Sequence, residues 1–246
     1  MSKPNPSNCL NCGSKTEGNY CNNCSQSASI QRITFRDTLD DFFSSTFALQ
    51  GPLLSTIKFL MVDPGKLLRS FIEGKRKSYY KPVSFFVLLT AIYLILRSVI
   101  GYDPFEGQPQ MEGENVHELA RVFINAGKYM VAHINHIMFF LVFSIGISNK
   151  LFFSKKYNLA EYLTVGFYVS GIYILIGIIY MLFSVYVIFI PPQLNMVFLF
   201  LYIVYISFSF HRQKSFLAII KYLLLSLFSI LLYVILGFGF SLLRVW

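Results

Sequence analysis

The residues best placed to do chemistry in this chain are four cysteines, all within the first 24 positions: Cys9, Cys12, Cys21 and Cys24. They form two CxxC knuckles separated by eight residues. Two such knuckles bring four thiolates around one tetrahedral ion at about 2.3 Å. Gly13 follows the first knuckle, where the backbone needs a tight turn, and Ser25 takes the equivalent place after the second. Tyr20 is expected to pack on the knuckles. Zinc is the expected ion, with a rubredoxin-like iron site and a pair of disulfides as the alternatives. A thioredoxin-like CxxC would ask for a βαβ context that the surrounding sequence does not offer. Four cysteines close the coordination shell and leave no position for water, so the ion is structural and not catalytic. A segment this short cannot fold on apolar burial alone. The metal is expected to supply most of its folding free energy, on the order of 10 kcal/mol.

Outside the cysteines, chemically active types are sparse. His133 and His136 form HxxH, and His117-Glu118 precedes them. Histidines three apart share a helical face and can bind a metal, but interfacial histidines that hydrogen-bond water or a neighbouring helix have the same pattern. Arg97 lies inside an apolar run, where a charge is by default a functional-site candidate, although it can also extend outward to water. No HExxH, GxSxG or phosphate-cradling loop occurs, so no catalytic constellation is expected and the chain is not read as an enzyme.

The elements that must carry these residues belong to a membrane protein. The chain has 246 residues, 55% hydrophobic and only 13% charged, against roughly 25% charged in a soluble domain. The formal charge of +9 suggests nucleic acid at first sight, but the bases cluster beside apolar runs, where topology and anionic lipid account for them. The ribbon itself offers only Lys3 and Lys15 to a phosphate backbone, so nucleic acid is not an expected partner. The expected organisation is a zinc ribbon over 1–29, amphipathic juxtamembrane helices over 30–82 and a transmembrane helical domain over 83–246. Residues 1–29 contain no apolar run of the kind that marks a secretory leader.

In the linker, Thr34 and Asp37 resemble a capping box, and Phe35, Leu39, Phe42, Phe43 and Phe47 share one helical face. Gly51-Pro52 breaks the pattern, and Leu53, Ile57, Leu60 and Met61 restart it. Asp63-Pro64 is an N-cap followed by proline at the first helical position, opening a helix that carries Leu67, Leu68, Phe71 and Ile72. These amphipathic stretches are expected to lie at the inner membrane surface, with packing on one another as a small soluble bundle as the alternative. Lys66, Arg69, Lys75, Arg76, Lys77 and Lys81 form a cluster attracted to anionic headgroups. Gly74 is expected to end the helix in a left-handed conformation, Tyr79 to anchor at the interface, and Pro82 to open the first span.

Five spans are predicted, at about 83–100, 129–148, 162–190, 194–210 and 216–243. The third and fifth exceed the bilayer core, and their glycines, Gly166, Gly171, Gly177, Gly237 and Gly239, are candidate break or packing points. The loop over 101–128 carries Asp103, Glu106, Glu112, Glu114 and Glu118 against Arg121 and Lys128. The segments over 1–81, 149–161 and 211–214 are basic. The alternation places the N-terminus in the cytosol and, with five spans, the C-terminus outside a bacterial inner membrane. The ribbon then sits in a reducing compartment, where thiolates persist.

The Cys-x2-Cys-Gly string, Gly18-Asn19-Tyr20-Cys21-x2-Cys24-x-Gln26, Pro64-Gly65 and Gly74-Lys75-Arg76-x2-Tyr79-x2-Pro82 together resemble a bacterial domain-of-unknown-function family. Its members are multi-pass membrane proteins with an N-terminal four-cysteine ribbon. The resemblance covers residues 9–95 and implies this architecture without an activity. The function expected from the residues is a non-enzymatic scaffold or adaptor. Its ribbon and basic juxtamembrane segment (Gly74, Lys75, Arg76, Tyr79 and Pro82) would engage a cytosolic partner or anionic lipid. A homo-oligomer is compatible with this, and a transporter or channel formed by the bundle is the alternative. No Asp or Glu lies within a central span, which counts against proton-coupled transport.

Overall fold

The computed structural model of the protein describes residues 8–28, 32–35, 52–103, 118–188 and 193–246. Its named elements are α1 (Leu53–Val62), α2 (Pro64–Glu73), α3 (Pro82–Ile100), α4 (Glu118–Ala132), α5 (Ile134–Phe152), α6 (Leu159–Tyr186), α7 (Gln193–His211) and α8 (Phe216–Val245). Among the described residues there is no strand, only the isolated bridges Asn8–Lys15 and Tyr20–Ser27 near the cysteines. The first amphipathic stretch beyond Phe35, the Asp37 half of the capping box and His117 lie outside the described residues.

Among the described residues, five helices are long and apolar enough to cross a bilayer: α3, α5, α6, α7 from Leu194, and α8. The count is the one hydropathy predicts, and the fold is that of an all-α integral membrane protein. Two details differ from the sequence reading. The second span starts at Ile134, not near Tyr129. Residues 118–132 form their own helix, α4, which packs on α8, and the chain turns at His133 (φ −106°, ψ 40°). The turn holds no Gly or Pro, and apolar residues flank His133, Asn135 and His136 on both sides, so hydropathy alone runs the two helices together. The long third and fifth spans are not broken at their glycines. At 1.5 Å per residue, the 28 residues of α6 and 30 of α8 reach roughly 42–45 Å against a core of about 30 Å, so both tilt or protrude.

The central element is α6, the most deeply buried of the five candidate spans; it packs against α3 and α5. Its glycines are contact points. A Cβ at Gly166 would overlap the Val142 carbonyl of α5, and one at Gly171 would come within 2.6 Å of the Phe85 ring of α3. By contrast α8 is far less buried, and Leu217, Leu227, Leu231 and Ile235 face outward. Such a face is stable only in lipid or against another protein.

The helix α2 is set as its sequence predicts. Asp63 Oδ1 accepts the Lys66 amide at 3.1 Å, Pro64 occupies the first turn, and Gly74 ends the helix at φ 118°. Its apolar face, however, is covered by protein. Leu67, Leu68 and Phe71 are buried, and the helix packs on the C-terminal half of α7. The physical reason is polar: the end of α7 leaves carbonyls without intrahelical partners. Arg69 Nη1 donates to those of Ser209 and of Phe210, the latter at 2.9 Å.

Candidate metal centre and its dock

The two knuckles have the same local build. In the first, Cys9 N–H donates to Ser14 O (2.7 Å) and Gly13 N–H to Cys9 O (2.8 Å). In the second, Cys21 N–H donates to Gln26 O (2.8 Å) and Ser25 N–H to Cys21 O (2.8 Å). Each turn closes through a left-handed residue, Gly13 at φ 79° and Ser25 at φ 57°. The consequence is convergence of the sulfurs. Cys9 and Cys24 Sγ are 3.5 Å apart, Cys12 and Cys21 Sγ 3.6 Å, and all four lie within 4.8 Å of one another. A tetrahedron with metal–sulfur bonds of about 2.3 Å has edges of roughly 3.8 Å. The donor set therefore fits one tetrahedral metal ion, and it is the one such cluster among the described residues.

The thiols are unequal. Burial raises Cys9, but the backbone N–H groups of Cys12 and Asn11 outweigh it and leave the thiol below its ordinary value. Exposed Cys12 is brought down to about 6 by the hydroxyl and backbone N–H of Ser14, while burial pushes Cys24 up to about 11. Tyr20 does not pack on the knuckles; it is 65% exposed, because the short hairpin has no apolar layer to receive it.

Ser25 is the one strained position in this unit. A non-glycine residue in the left-handed region costs about 1–2 kcal/mol, partly offset in glycine by its extra chain entropy. Ser25→Gly is expected to stabilise the loaded ribbon by about 0.5–1 kcal/mol, read as roughly two- to fivefold better metal retention against a competing chelator. Weaker retention would show that the Ser25 side chain contributes something the turn geometry does not reveal.

The structure brings the ribbon onto the Gly74–Pro82 string. Gln26, 6% exposed, donates from Nε2 to Gly74 O (2.9 Å), while its Oε1 accepts from Arg76 N (3.2 Å) and Lys77 N (3.0 Å). Asn11, inside the first knuckle, accepts at Oδ1 from Ser78 N (3.0 Å) and Ser78 Oγ (2.6 Å). One amide from each knuckle thus satisfies the turn that joins α2 to the first span. The turn continues into the bundle: Tyr79 is buried edge-on to Phe59 (5.9 Å), Tyr80 N–H donates to Thr56 Oγ1 (2.9 Å), and Tyr168 OH of α6 donates to Tyr80 O (2.6 Å). Tyr79 is accordingly an interior residue. Lys75 and Arg76 are half-buried and Lys77 is exposed, while Pro82 opens α3 at its first turn.

A second tether follows the ribbon. Arg32 grips Glu161 bidentately, Nε to Oε1 at 3.1 Å and Nη2 to Oε2 at 3.0 Å, and the carboxylate raises the guanidinium further above its ordinary value. Glu161 is buried and closes a capping box with Asn158 at the start of α6; Asn158 Nδ2 also donates to Ile33 O at 3.2 Å. Asn11, Gln26, Arg32, Asn158 and Glu161 were not legible as a group in the sequence. Only Gln26, two residues after the second knuckle, stood inside a motif.

The remaining candidates lie at the opposite end of the bundle. Arg97 donates from Nη1 to Val131 O (3.3 Å) and Ala132 O (3.4 Å) and from Nε to Tyr102 O (3.4 Å). It caps the C-terminus of α4, where a cation complements the helix dipole. His133 sits in the turn after α4, its Nδ1 3.1 Å from Tyr129 O and its ring stacked on Tyr129, and exposed His136 lies 6.3 Å away by ring centroids. No third ligand joins this pair among the described residues.

Fold and site together define a multi-pass helical membrane protein with a four-cysteine cluster, able to hold a metal ion, docked at one end of its bundle. Residues 51–94 match the family described as "Protein of unknown function (DUF3667)". The match spans α1, α2, the docking turn and most of α3, and so includes Pro64-Gly65 and the Gly74–Pro82 string; the cysteines precede it. No curated protein and no solved structure matches the chain.

Proposed function

We propose that the protein is a membrane-embedded adaptor whose zinc-loaded ribbon, held on the basic juxtamembrane turn, presents one end of the bundle to a cytosolic partner or anionic lipid. The observation that carries this reading is the double clamp of Asn11 and Gln26 on residues 74–78. A closed thiolate site holds shape and does no chemistry. Here the shape it holds includes the path of Lys75, Arg76 and Lys77 beside the first span. Zinc is preferred because four thiolates at tetrahedral spacing suit a soft, redox-inert ion. The segments over 149–161 and 211–214 meet α6 and α8 at the ribbon's end, so the basic residues gather on one side. This supports a cytosolic orientation for that side.

The adaptor reading is tested on protein extracted in native membrane discs. Proteins and lipids that co-isolate with wild type are expected to be lost from Asn11→Ala/Gln26→Ala, a pair that leaves the four cysteines in place. An identical set with both proteins would remove the ribbon dock from the function. Orientation is tested separately. A reporter active only outside the cytoplasm is expected to be silent after Gln26 and active within 103–115 or after Trp246; activity at Gln26 would reverse the assignment.

A further inference from the structure

A cavity of about 130 Å³ lies in the half of the bundle away from the ribbon, between α3, the α4–α5 turn, α6 and the start of α7. An apolar cavity of roughly 150 Å³ holds a benzene ring, so the space suits a single ring. Its walls are mostly apolar, with Ile134, Met138, Ile174 and Met181 among them and Tyr102 and Tyr180, hydrogen-bonded to each other, at one side. Position 177 adds no side chain to the space. Gly177 lines it, and a Cβ there would meet nothing within 4 Å. Asn195, also in the wall, carries a buried Oδ1 with no hydrogen-bond partner, and a buried acceptor left unpaired costs about 1–3 kcal/mol. The amide torsion of asparagine is soft, so a modest turn presents this oxygen to a donor in the cavity. The nearby cation, Arg97, is not among the lining residues and directs Nε and Nη1 at three backbone carbonyls.

We propose that this cavity binds one uncharged aromatic ring bearing a hydroxyl, which donates to Asn195 Oδ1. The ring can arrive as a free phenol or as the phenolic head of a membrane lipid. The site is independent of the ribbon and of the adaptor reading.

The test uses the full chain in detergent, with 4-fluorophenol and 4-fluorotoluene as fluorine NMR probes of matched size and protein-free micelles as the blank. Wild type is expected to bind 4-fluorophenol saturably and about fivefold more tightly than 4-fluorotoluene, the difference one net hydrogen bond makes. Asn195→Leu is expected to erase the preference. Gly177→Leu, which fills the space, is expected to abolish binding of both probes while the protein stays folded. Displacement of 4-fluorophenol by 4-octylphenol points to a lipid-borne ring, and its failure to displace points to a free one. Equal affinity of the two probes, no saturable binding, or full binding by Gly177→Leu would each overturn the proposal.

Discussion

Cys21→Ser is expected to abolish metal binding outright, taking the protein from close to one zinc per chain to none, and Cys9→Ser is expected to do the same. Both residues are buried, and each is paired across the cluster, Cys9 with Cys24 and Cys12 with Cys21. Removing one thiolate leaves a three-sulfur site with no replacement donor among the described residues. The ribbon has no strand ladder and little apolar interior, so the ion's contribution of about 10 kcal/mol or more is nearly its whole folding free energy. The loss should propagate. With the knuckles unfolded, Asn11 and Gln26 release the amides of Arg76, Lys77 and Ser78, whose hydrogen exchange should accelerate. The amide of Tyr80 is held by Thr56 and not by the ribbon, so it should stay protected. Protons compete with the metal for the thiolates, so occupancy should fall as pH falls. Cys24, pushed up to about 11, gives up its proton less readily than Cys12, brought down to about 6. Metal analysis of the purified variants with amide exchange of the turn checks both halves. Zinc retained by Cys21→Ser, or a turn still protected after chelation, would break the link between the ion and the dock.

What could be read from the sequence was what leaves a local trace. CxxC spacing leaves one, as do the Asp63-Pro64 start, the Gly74 stop and the long apolar runs, and the structure agrees with each. The α4–α5 turn left only the polar His133 and His136, which the end of a continuous span would carry equally well. Met130, Ala132 and Ile134 are as apolar as a continuous span would be, and the chain bends because Phe123 stacks on Phe238 (5.7 Å) and Met130 approaches Gly237, contacts made with a helix more than 100 residues away. The ribbon dock was not legible as a contact, although Gln26 and the Gly74–Pro82 string each stood in a motif. It is built from two side-chain amides meeting backbone groups about 50 to 70 residues further on, and neither amide belongs to any periodic pattern. The partner of α2 was not legible either: an amphipathic sequence has an apolar face but does not say whether lipid or α7 will cover it.

Gly65→Ala is expected to destabilise the protein by about 3 kcal/mol, although it adds a single methyl group near the start of a helix, where alanine is otherwise favoured. Gly65 is where α2 touches α7. Its N–H donates to Ser209 Oγ at 2.9 Å, and that hydroxyl donates onward to Asp63 Oδ1 at 3.0 Å, the cap of α2 itself. A Cβ at position 65 would overlap the carbonyl carbon and oxygen of Ser209. Both are backbone, inside a helix, so no rotamer change clears them and α2 must withdraw. Withdrawal stretches the Gly65–Ser209 bond and pulls Arg69 from the last carbonyls of α7, leaving buried acceptors short of donors at about 1–3 kcal/mol each. Gly239→Ala is the control. It makes the same change in α8, where a Cβ meets nothing within 4 Å, and should be neutral or stabilising by up to about 1 kcal/mol. Unfolding of the two variants in the same detergent, followed by loss of helicity, gives the comparison. Ser209→Ala removes the hydroxyl but not the carbonyl, so it should not rescue Gly65→Ala. If Gly65→Ala proves as stable as Gly239→Ala, then α2 does not rest on α7 as closely as the structure shows, and the docking turn it leads into loses its support.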